Sequence, residues 1–180
     1  NDANVGPYDP EYVDSYEIGM KGDFLDKTLR VNLAAFYLEY DDKQEEVIQD
    51  VSITVVNNAA SVESYGFEGD ITWVASDSLR FSGNFGYLDA EYNDYIADLN
   101  GDGIATDNDG LEPRNTPENT FGVATTYVWE IGNGNLSGNV SYHWRDSVET
   151  ILAPDPSSPT ENDQLGSQDS LENLSANLSY

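Results

Sequence analysis

Hydrophobic and polar positions alternate with a period of two along most of this chain, and helical spacing is nearly absent. In the first such run, Tyr16, Ile18 and Met20 share one face, opposite Glu17 and Lys21. Because successive side chains of a strand point to opposite faces, each run predicts a strand with one apolar and one polar face. Seven runs follow this pattern, and they start near Tyr16, Leu29, Tyr65, Leu79, Phe121, Leu136 and Leu174. The sequence therefore predicts an all-β chain.

The connections between these runs alternate strictly between short and long. The short ones lie near Leu25, Ser76 and Gly132, and the long ones cover roughly 41–61, 93–120 and 146–170. A soluble β-sandwich has no reason to sort its loops in this way, whereas an up-and-down membrane barrel places short turns on one rim and long loops on the other. We therefore expect an antiparallel, up-and-down transmembrane β-barrel segment, about seven strands of a larger barrel.

The two faces of the runs agree with this interpretation, although a soluble β domain would show the same alternation. Aromatic residues such as Tyr37, Trp73 and Trp144 lie near the ends of the runs. Aromatic residues form such girdles at membrane interfaces. The opposite faces are rich in Gly and in small hydroxyl residues, which suits a crowded, wet lumen. These two details favour a membrane barrel.

Composition excludes several other classes of protein. The chain has 180 residues with 34 Asp and Glu against 7 Lys and Arg, a formal charge of -27, so we expect no nucleic acid as a partner. The absence of cysteine excludes disulfide scaffolds, Cys-zinc sites and thiol chemistry. No apolar run approaches the ~18 residues of a membrane helix. The 12 Tyr, 3 Trp and 6 Phe argue against a disordered acidic chain.

Five segments carry more specific motifs. Residues 14–25 read DSYEIGMKGDFL, 29–42 LRVNLAAFYLEYDD, 57–60 and 64–70 NNAA and SYGFEGD, 79–92 LRFSGNFGYLDAEY, and 113–120 PRNTPENT. In order and spacing, over nearly the whole chain, these segments resemble the β-barrel of TonB-dependent receptors, and the last resembles the re-entry into the barrel after a long loop. The resemblance identifies residues 1–180 as a partial barrel domain, with the plug domain and the closing strands expected to be absent.

The resemblance implies a function in the bacterial cell outer membrane. Such receptors close 22 strands around a plug, and they take up a scarce extracellular ligand of the siderophore, cobalamin or oligosaccharide class. The implied partners are outer-membrane lipid, that small-molecule ligand, and a TonB-type energy-coupling protein reached through an N-terminal part absent from this chain. Two alternatives stay open: a secreted or surface calcium-binding β module that acts in adhesion, and a passive porin.

One local motif predicts a metal site. Asp98, Asn100 and Asp102 stand at positions one, three and five of a twelve-residue loop, with Gly103 at position six and Asp109 at position twelve. Calcium loops place oxygen ligands at this spacing and a glycine at the sharp turn. The last ligand is Asp rather than the longer Glu, and no helices flank the loop. We expect either a weak calcium site or a solvated acidic loop, and we expect no other cofactor.

No other set of residues predicts chemistry. His143 is the single histidine, and the alternation places it on the polar face beside Arg145. Without a second His or Cys, a transition-metal site is not expected there. The neighbouring carboxylates Glu45 and Glu46 lie in a predicted loop without a predicted pocket, so an acid–base pair is unsupported. The sequence therefore does not predict an enzyme. Most of the acidic surplus lies in loops, where it keeps a surface solvated or attracts a cationic ligand.

Overall fold

The computed structural model describes residues 9–50, 53–100, 102–154 and 164–180. Parts of the predicted long connections, including Gly101 of the predicted calcium loop, lie outside the described residues. No helix in the described ranges is long and apolar enough to cross a membrane. The strands are β1 (Tyr12–Phe24), β2 (Leu29–Asp50), β3 (Ile53–Ser76), β4 (Leu79–Ala97), β5 (Thr106–Asp107), β6 (Asn119–Ile131), β7 (Gly134–Arg145), β8 (Val148–Pro154), β9 (Gln164–Gln168) and β10 (Leu171–Ser179).

One antiparallel sheet organises the chain. Its strands lie in the order β1-β2-β3-β4-β6-β7-β10, so that strands close in the chain are neighbours in space. This order confirms the predicted all-β, up-and-down arrangement and its seven strands. The short strands β5, which pairs with β4, and β8 and β9, which pair with each other, were not predicted. They lie within long connections whose sequence shows no extended alternation.

Tight turns join the strands at one end of the sheet, as the sequence predicts. The turn between β1 and β2 has four residues, 25–28, and those at 77–78 and 132–133 have two each. Leu25 has a φ of 50° and Gly132 a φ of 61°, in the left-handed region that hairpin turns require. The Thr28 amide donates to the carbonyl of Leu25 across 3.1 Å and closes the first turn.

The first long connection differs from its prediction, because most of it is strand. β2 runs on to Asp50 and β3 starts at Ile53, with register irregularities between Tyr40 and Lys43. The apolar alternation stops near Asp41, which is why the sequence predicts a loop there. Backbone hydrogen bonding needs no apolar face, so the hairpin continues beyond the end of the pattern.

The apolar face of the sheet has an aromatic row at each end. Tyr16, Tyr37 and Tyr65 lie side by side on adjacent strands. Near the tight turns, Trp73 stacks on Phe81 with 5.7 Å between ring centroids. Trp73 lies eight positions after Tyr65 along β3, which is about 26 Å of strand. The exposed apolar side chains between the two rows form a band of the height that a membrane barrel presents to lipid.

The buried hydrophobic core lies away from this band, at the end of the sheet that carries the long connections. Tyr92 and Tyr95 are the largest fully buried side chains among the described residues, and Tyr40 packs against the core to which they belong. We call this core the loop cap; its buried members are Ala60, Val62, Tyr92, Tyr95, Ala97, Leu99, Leu111, Leu152 and Ala153. Val62 of β3 pairs with Tyr92 of β4. By the alternation of the two strands, both positions belong to the polar face of the sheet. The loop cap therefore covers one end of the polar face.

Gly66 is a position where this sheet accepts no side chain. An added Cβ would lie 2.2 Å from the carbonyl oxygen of Tyr87 and 2.7 Å from the ring of Phe36. We expect Gly66→Ala to lower the free energy of unfolding by about 3 kcal/mol, because backbone and ring must both move. The change is measured by urea unfolding of the full-length protein. Heat-modifiable gel mobility reports the folded fraction at each urea concentration.

Gly83→Ala is the matched control on the neighbouring strand. Its added Cβ would meet a methyl group of Ile71 at 3.3 Å, a contact that a small shift relieves. Equal loss of stability in the two variants would contradict the close packing at Gly66.

Candidate functional site

The segment after β4 folds back along that strand and forms the centre of the loop cap. The Tyr92 amide donates to the carbonyl of Leu111 across 3.0 Å, and the Gly110 amide donates to the carbonyl of Tyr92 across 2.7 Å. The buried Asn108 side chain donates to the carbonyl of Tyr95 across 3.2 Å. Because these contacts replace the hydrogen bonds of a regular strand, the returning segment is held in a fixed place.

The β8–β9 hairpin packs onto the same segment. The Asn115 amide donates to the carbonyl of Glu149 across 2.9 Å, and the Glu112 amide donates to the side chain of Gln164 across 2.9 Å. Leu152 of β8 contributes to the buried core. The loop cap therefore joins residues from all three long connections.

A buried carboxylate lies beside the loop cap. Glu45 is 3% exposed, and it is contacted by Lys43 of its own strand. The Tyr92 hydroxyl donates to Glu45 Oε1 across 2.5 Å, and Arg114 Nη2 donates to Glu45 Oε2 across 3.4 Å. We call Lys43, Glu45, Tyr92, Tyr95 and Arg114 the polar cluster. A carboxylate this deeply buried requires such partners, because desolvation of an unpaired charge is costly.

Two tyrosines complete the polar cluster. Tyr95 stacks on Tyr92 with 4.8 Å between ring centroids, and burial raises the pKa of Tyr95 to about 12. Burial also raises the pKa of Tyr92, while Arg114 acts in the opposite direction on both hydroxyls. Burial and the charge of Arg114 lower the pKa of Lys43. The Tyr95 hydroxyl is buried and has no hydrogen-bond partner among the described residues.

Four carboxylates line a small pocket of about 230 Å³ between β4 and the returning segment: Asp89, Glu91, Glu112 and Glu118. Partial burial, followed by the charges of Glu118 and Asp89, raises the pKa of Glu112. The loop end of the sheet therefore carries an acidic pocket in addition to the polar cluster, which contains the cationic side chains of Lys43 and Arg114.

A row of carboxylates borders the apolar face on the loop side. Asp14, Glu39, Glu63 and Glu91 are cross-strand neighbours on four adjacent strands. Like charges at such positions repel each other and need water or ions around them. The row therefore marks where the apolar band ends.

The predicted calcium loop is built partly as the motif requires. Gly103 has a φ of 87°, and its amide donates to Asp98 Oδ2 across 2.7 Å. The Asp102 amide donates to Asn100 Oδ1 across 3.0 Å. Asp109 Oδ1 accepts the amide of Tyr95 across 2.8 Å and so faces the start of the loop cap.

Each of the four predicted ligands, Asp98, Asn100, Asp102 and Asp109, accepts a backbone amide through one side-chain oxygen. Within the described ranges, no three His, Cys, Asp or Glu side chains lie close enough together to hold a metal ion. Calcium binding at Asp98, Asn100, Asp102 and Asp109 stays a prediction.

The polar face carries a groove of about 420 Å³ lined in part by Glu17, Lys21, Asn32, Glu68 and Asp70. Asn32 Nδ2 donates to Asp70 Oδ2 across 2.9 Å. Gly19 and Gly86 also line the groove, and because they carry no side chains they leave space above the backbone there. The groove offers a mixed-charge, hydrogen-bonding surface on the polar face of the sheet.

His143 lies farther along the same face, over Gly122 of the adjacent strand. A Cβ on Gly122 would come within 2.5 Å of His143 Nδ1 and 2.6 Å of Asn84 Oδ1. His143 is thus a packed wall residue on the face where the sequence places it.

Sequence reasoning missed the polar cluster. Glu45 was assigned to a loop without a pocket, and Arg114 is 69 positions away along the chain. The available signal was compositional: Lys43 and Arg114 are two of only seven cations in this chain. The side chain of Glu46, the other member of the carboxylate pair, lies outside the described residues.

Comparisons with known proteins agree on one family. The family model described as "TonB dependent receptor-like, beta-barrel" matches residues 1–180. The probable TonB-dependent siderophore receptor PiuA of Acinetobacter baumannii is 32% identical over 128 residues, 69% of this chain and 17% of that protein. The metal-pseudopaline receptor CntO of Pseudomonas aeruginosa is 35% identical over 85 residues, 47% of this chain and 12% of that protein.

Solved structures show the same fold. The ferric yersiniabactin uptake receptor FyuA of Yersinia pestis matches with a TM-score of 0.71 at 17% identity, over 96% of this chain and 23% of that one. The PiuA structure matches with a TM-score of 0.69 at 25% identity, over 100% of this chain and 23% of that one. The chain thus spans less than a quarter of the length of these relatives.

Leu111 tests whether the loop cap is a packed core. It is 2% exposed, so Leu111→Ala should cost about 2–5 kcal/mol in local stability. We expect faster limited proteolysis of the long connections with unchanged heat-modifiable mobility of the barrel. Ile104→Ala, at a position that is 65% exposed, is the control and should leave proteolysis unchanged. Equal protection in both variants would show that the loops do not depend on this core.

Calcium binding is tested by calorimetry on the full-length protein at millimolar calcium, the affinity range of extracellular sites. We expect a weak binding heat that disappears in Asp98→Ala and Asp102→Ala. Asp77→Ala, in the tight turn at the opposite end of the sheet, serves as the charge-matched control. Absence of heat in the unmodified protein would remove the calcium prediction.

Proposed function

This chain belongs to the TonB-dependent receptor-like β-barrel family, and from that premise we propose that it forms part of the wall and loops of an outer-membrane receptor. The receptor would take up a scarce extracellular ligand by energised transport. The observation that carries the proposal is the family match over residues 1–180, together with a sheet that has an exposed apolar band on one face and polar residues on the other. The band would face lipid and the polar face the lumen.

The relatives favour one ligand class among those that the sequence leaves open. PiuA is named a siderophore receptor and CntO a metal-pseudopaline receptor. FyuA is described as a ferric yersiniabactin uptake receptor. We therefore propose a metal chelate as the ligand, in preference to cobalamin or an oligosaccharide.

Each part of this segment has a place in such uptake. The loop cap would hold the extracellular loops in a fixed arrangement around the entrance. The groove beside Glu68 and Asp70 would face the plug, and the energy-coupling protein would act through parts of the receptor outside this chain. The family consists of receptors and transporters, so we propose no catalytic role for the segment.

Uptake by the source bacterium tests this function. Deletion of the gene should abolish most accumulation of a ⁵⁵Fe-labelled siderophore under iron limitation, and a plasmid copy should restore it. Dissipation of the proton-motive force should stop uptake in the complemented strain, since transport is energised. Uptake that continues without the proton-motive force would indicate a passive porin instead. A protein found outside the outer-membrane fraction would contradict the proposal altogether.

A further inference from the structure

One level of the apolar face changes from large to small side chains across the sheet. The strand register places six residues side by side at this level, in the order Leu29, Trp73, Phe81, Thr125, Val140 and Ala176. The first three, on β2 to β4, include the stacked rings of Trp73 and Phe81. The last three, on β6, β7 and β10, are small. The apolar face therefore steps down where β4 meets β6.

The step leaves a space of about 530 Å³, which we call the apolar hollow. On the apolar face it is lined by Thr125, Tyr127, Trp129, Gly138, Val140, Ala176 and Leu178. A Cβ added to Gly138 would lie 2.7 Å from Trp129 Cζ3, so the indole ring lies over this glycine. The middle strand, β7, pairs with β6 on one side and with β10 on the other. The apolar hollow is therefore a feature of the wall itself and not of a single strand.

Polar side chains beside the apolar hollow bind to the protein itself. The Thr125 hydroxyl donates to a backbone carbonyl of β4 across 3.4 Å. Asn139 and Asn177 belong by alternation to the polar face, where Asn177 Nδ2 donates to Asn139 Oδ1 across 3.4 Å. The other polar side-chain atoms of the lining are at the ring tips of Tyr127 and Trp129. A polar ligand would lose its hydrogen bonds to water here without replacement, so the space suits an apolar occupant.

The apolar hollow lies in the apolar band, near the end that carries the tight turns. Trp129 comes three positions before the turn at 132–133. In bacterial outer-membrane barrels the short turns face the periplasm, and Trp and Tyr rings take the headgroup level. The hollow therefore meets the inner leaflet of the outer membrane, which consists of phospholipid.

Packing gives a lipid chain a reason to stay in this space. Lipid tails are as apolar as the protein surface, so the hydrophobic effect does not distinguish the hollow from the rest of the apolar band. Dispersion does, because side chains beside an unfilled gap lose contacts with partner atoms. A cavity of about 150 Å³ already takes up a benzene molecule. The hollow, at about 530 Å³, has room for a longer run of methylene groups.

We propose that the apolar hollow holds one acyl chain of an inner-leaflet phospholipid, which stays with the receptor as a bound lipid. The inference goes beyond ligand uptake and rests only on the outer-membrane placement in the proposed function. No Lys or Arg occurs in 125–140 or in 171–180, and Arg80 on the neighbouring strand belongs by alternation to the polar face. The headgroup therefore gains no cation from these segments, and the chain is the part that is held.

Photo-crosslinking of the purified full-length receptor in phosphatidylethanolamine bilayers tests the site. The probe is phosphatidylethanolamine with a photoactivatable diazirine in one acyl chain, and mass spectrometry locates the labelled peptides. We expect labelling of 125–129, 138–140 and 176–178 at about five times the level of exposed band residues such as Ile18 and Ile71. The same chain on anionic phosphatidylglycerol should label these segments equally, because the headgroup is not selected.

Ala176→Phe places a ring in the apolar hollow from an exposed position of β10 and should reduce this labelling to the level of the rest of the band. Ala35→Phe is the matched control, because Ala35 is also exposed on the apolar face but lies beside Phe67, away from the hollow. It should leave the labelling unchanged. Val140→Phe fills the same space from β7 and repeats the test if Ala176→Phe does not fold.

Uniform labelling along the apolar band would overturn the proposal, as would undiminished labelling in Ala176→Phe and Val140→Phe. Labelling by phosphatidylglycerol alone would show that the headgroup is recognised, and crosslinks between two receptors that Ala176→Phe removes would assign the hollow to a second copy of the chain; each would also overturn it. Any of these results with intact energised uptake removes this inference alone. The expected labelling in a receptor without energised uptake would remove the proposed uptake function alone.

Discussion

Backbone hydrogen bonding between sequential antiparallel strands is the constraint on which the rest of this structure depends. From Phe24 back to Tyr12, every residue of β1 has a partner on β2, and β2 pairs with β3 in the same unbroken way from Leu29 to Tyr40. In hydrocarbon no water can satisfy an unpaired peptide group, so a wall of this kind needs complete pairing before it needs any side-chain core. This part of the sheet therefore has no side-chain core: apolar side chains are exposed on one face, and Gly, Asn and Thr lie on the other.

The side-chain core forms where this constraint weakens. Beyond the carboxylate row, water can satisfy peptide groups, and the connection after β4 leaves the regular ladder. Apolar residues of the long connections then bury one another, as Leu111 does against Tyr92 and Tyr95. The same burial forces the carboxylate of Glu45 to find its partners within the protein. The apolar band and the loop cap are therefore held by different forces, hydrogen bonding in one and hydrophobic burial in the other.

The sequence predicted what depends on local alternation. A period of two decides which face Phe67 or Glu68 occupies, so the seven long strands and their faces were predicted correctly. The family was recognised because motifs such as residues 14–25 are contiguous. The continuation of β2 to Asp50 was missed, since pairing there depends on the partner strand rather than on an apolar pattern.

The polar cluster was beyond such reasoning for a related reason. The contact between Glu45 and Arg114 joins residues 69 positions apart, and neither has a sequence motif that indicates the other. Tyr95 reads as one more aromatic residue in an acidic stretch, and only the fold shows that its hydroxyl is enclosed. By contrast, the turn at Gly103 follows from the local sequence, because a glycine in an Asp- and Asn-rich segment favours a positive φ.

The shared core of the loop cap also determines how an antibody would recognise this end of the molecule. Residues that adjoin on its surface come from three separate connections, and their positions depend on buried partners such as Leu111 and Leu152. The epitopes are therefore conformational rather than linear. A synthetic peptide copied from a single connection lacks the other two and would not reproduce them, so an immunogen for this surface has to present the connections together on the folded sheet.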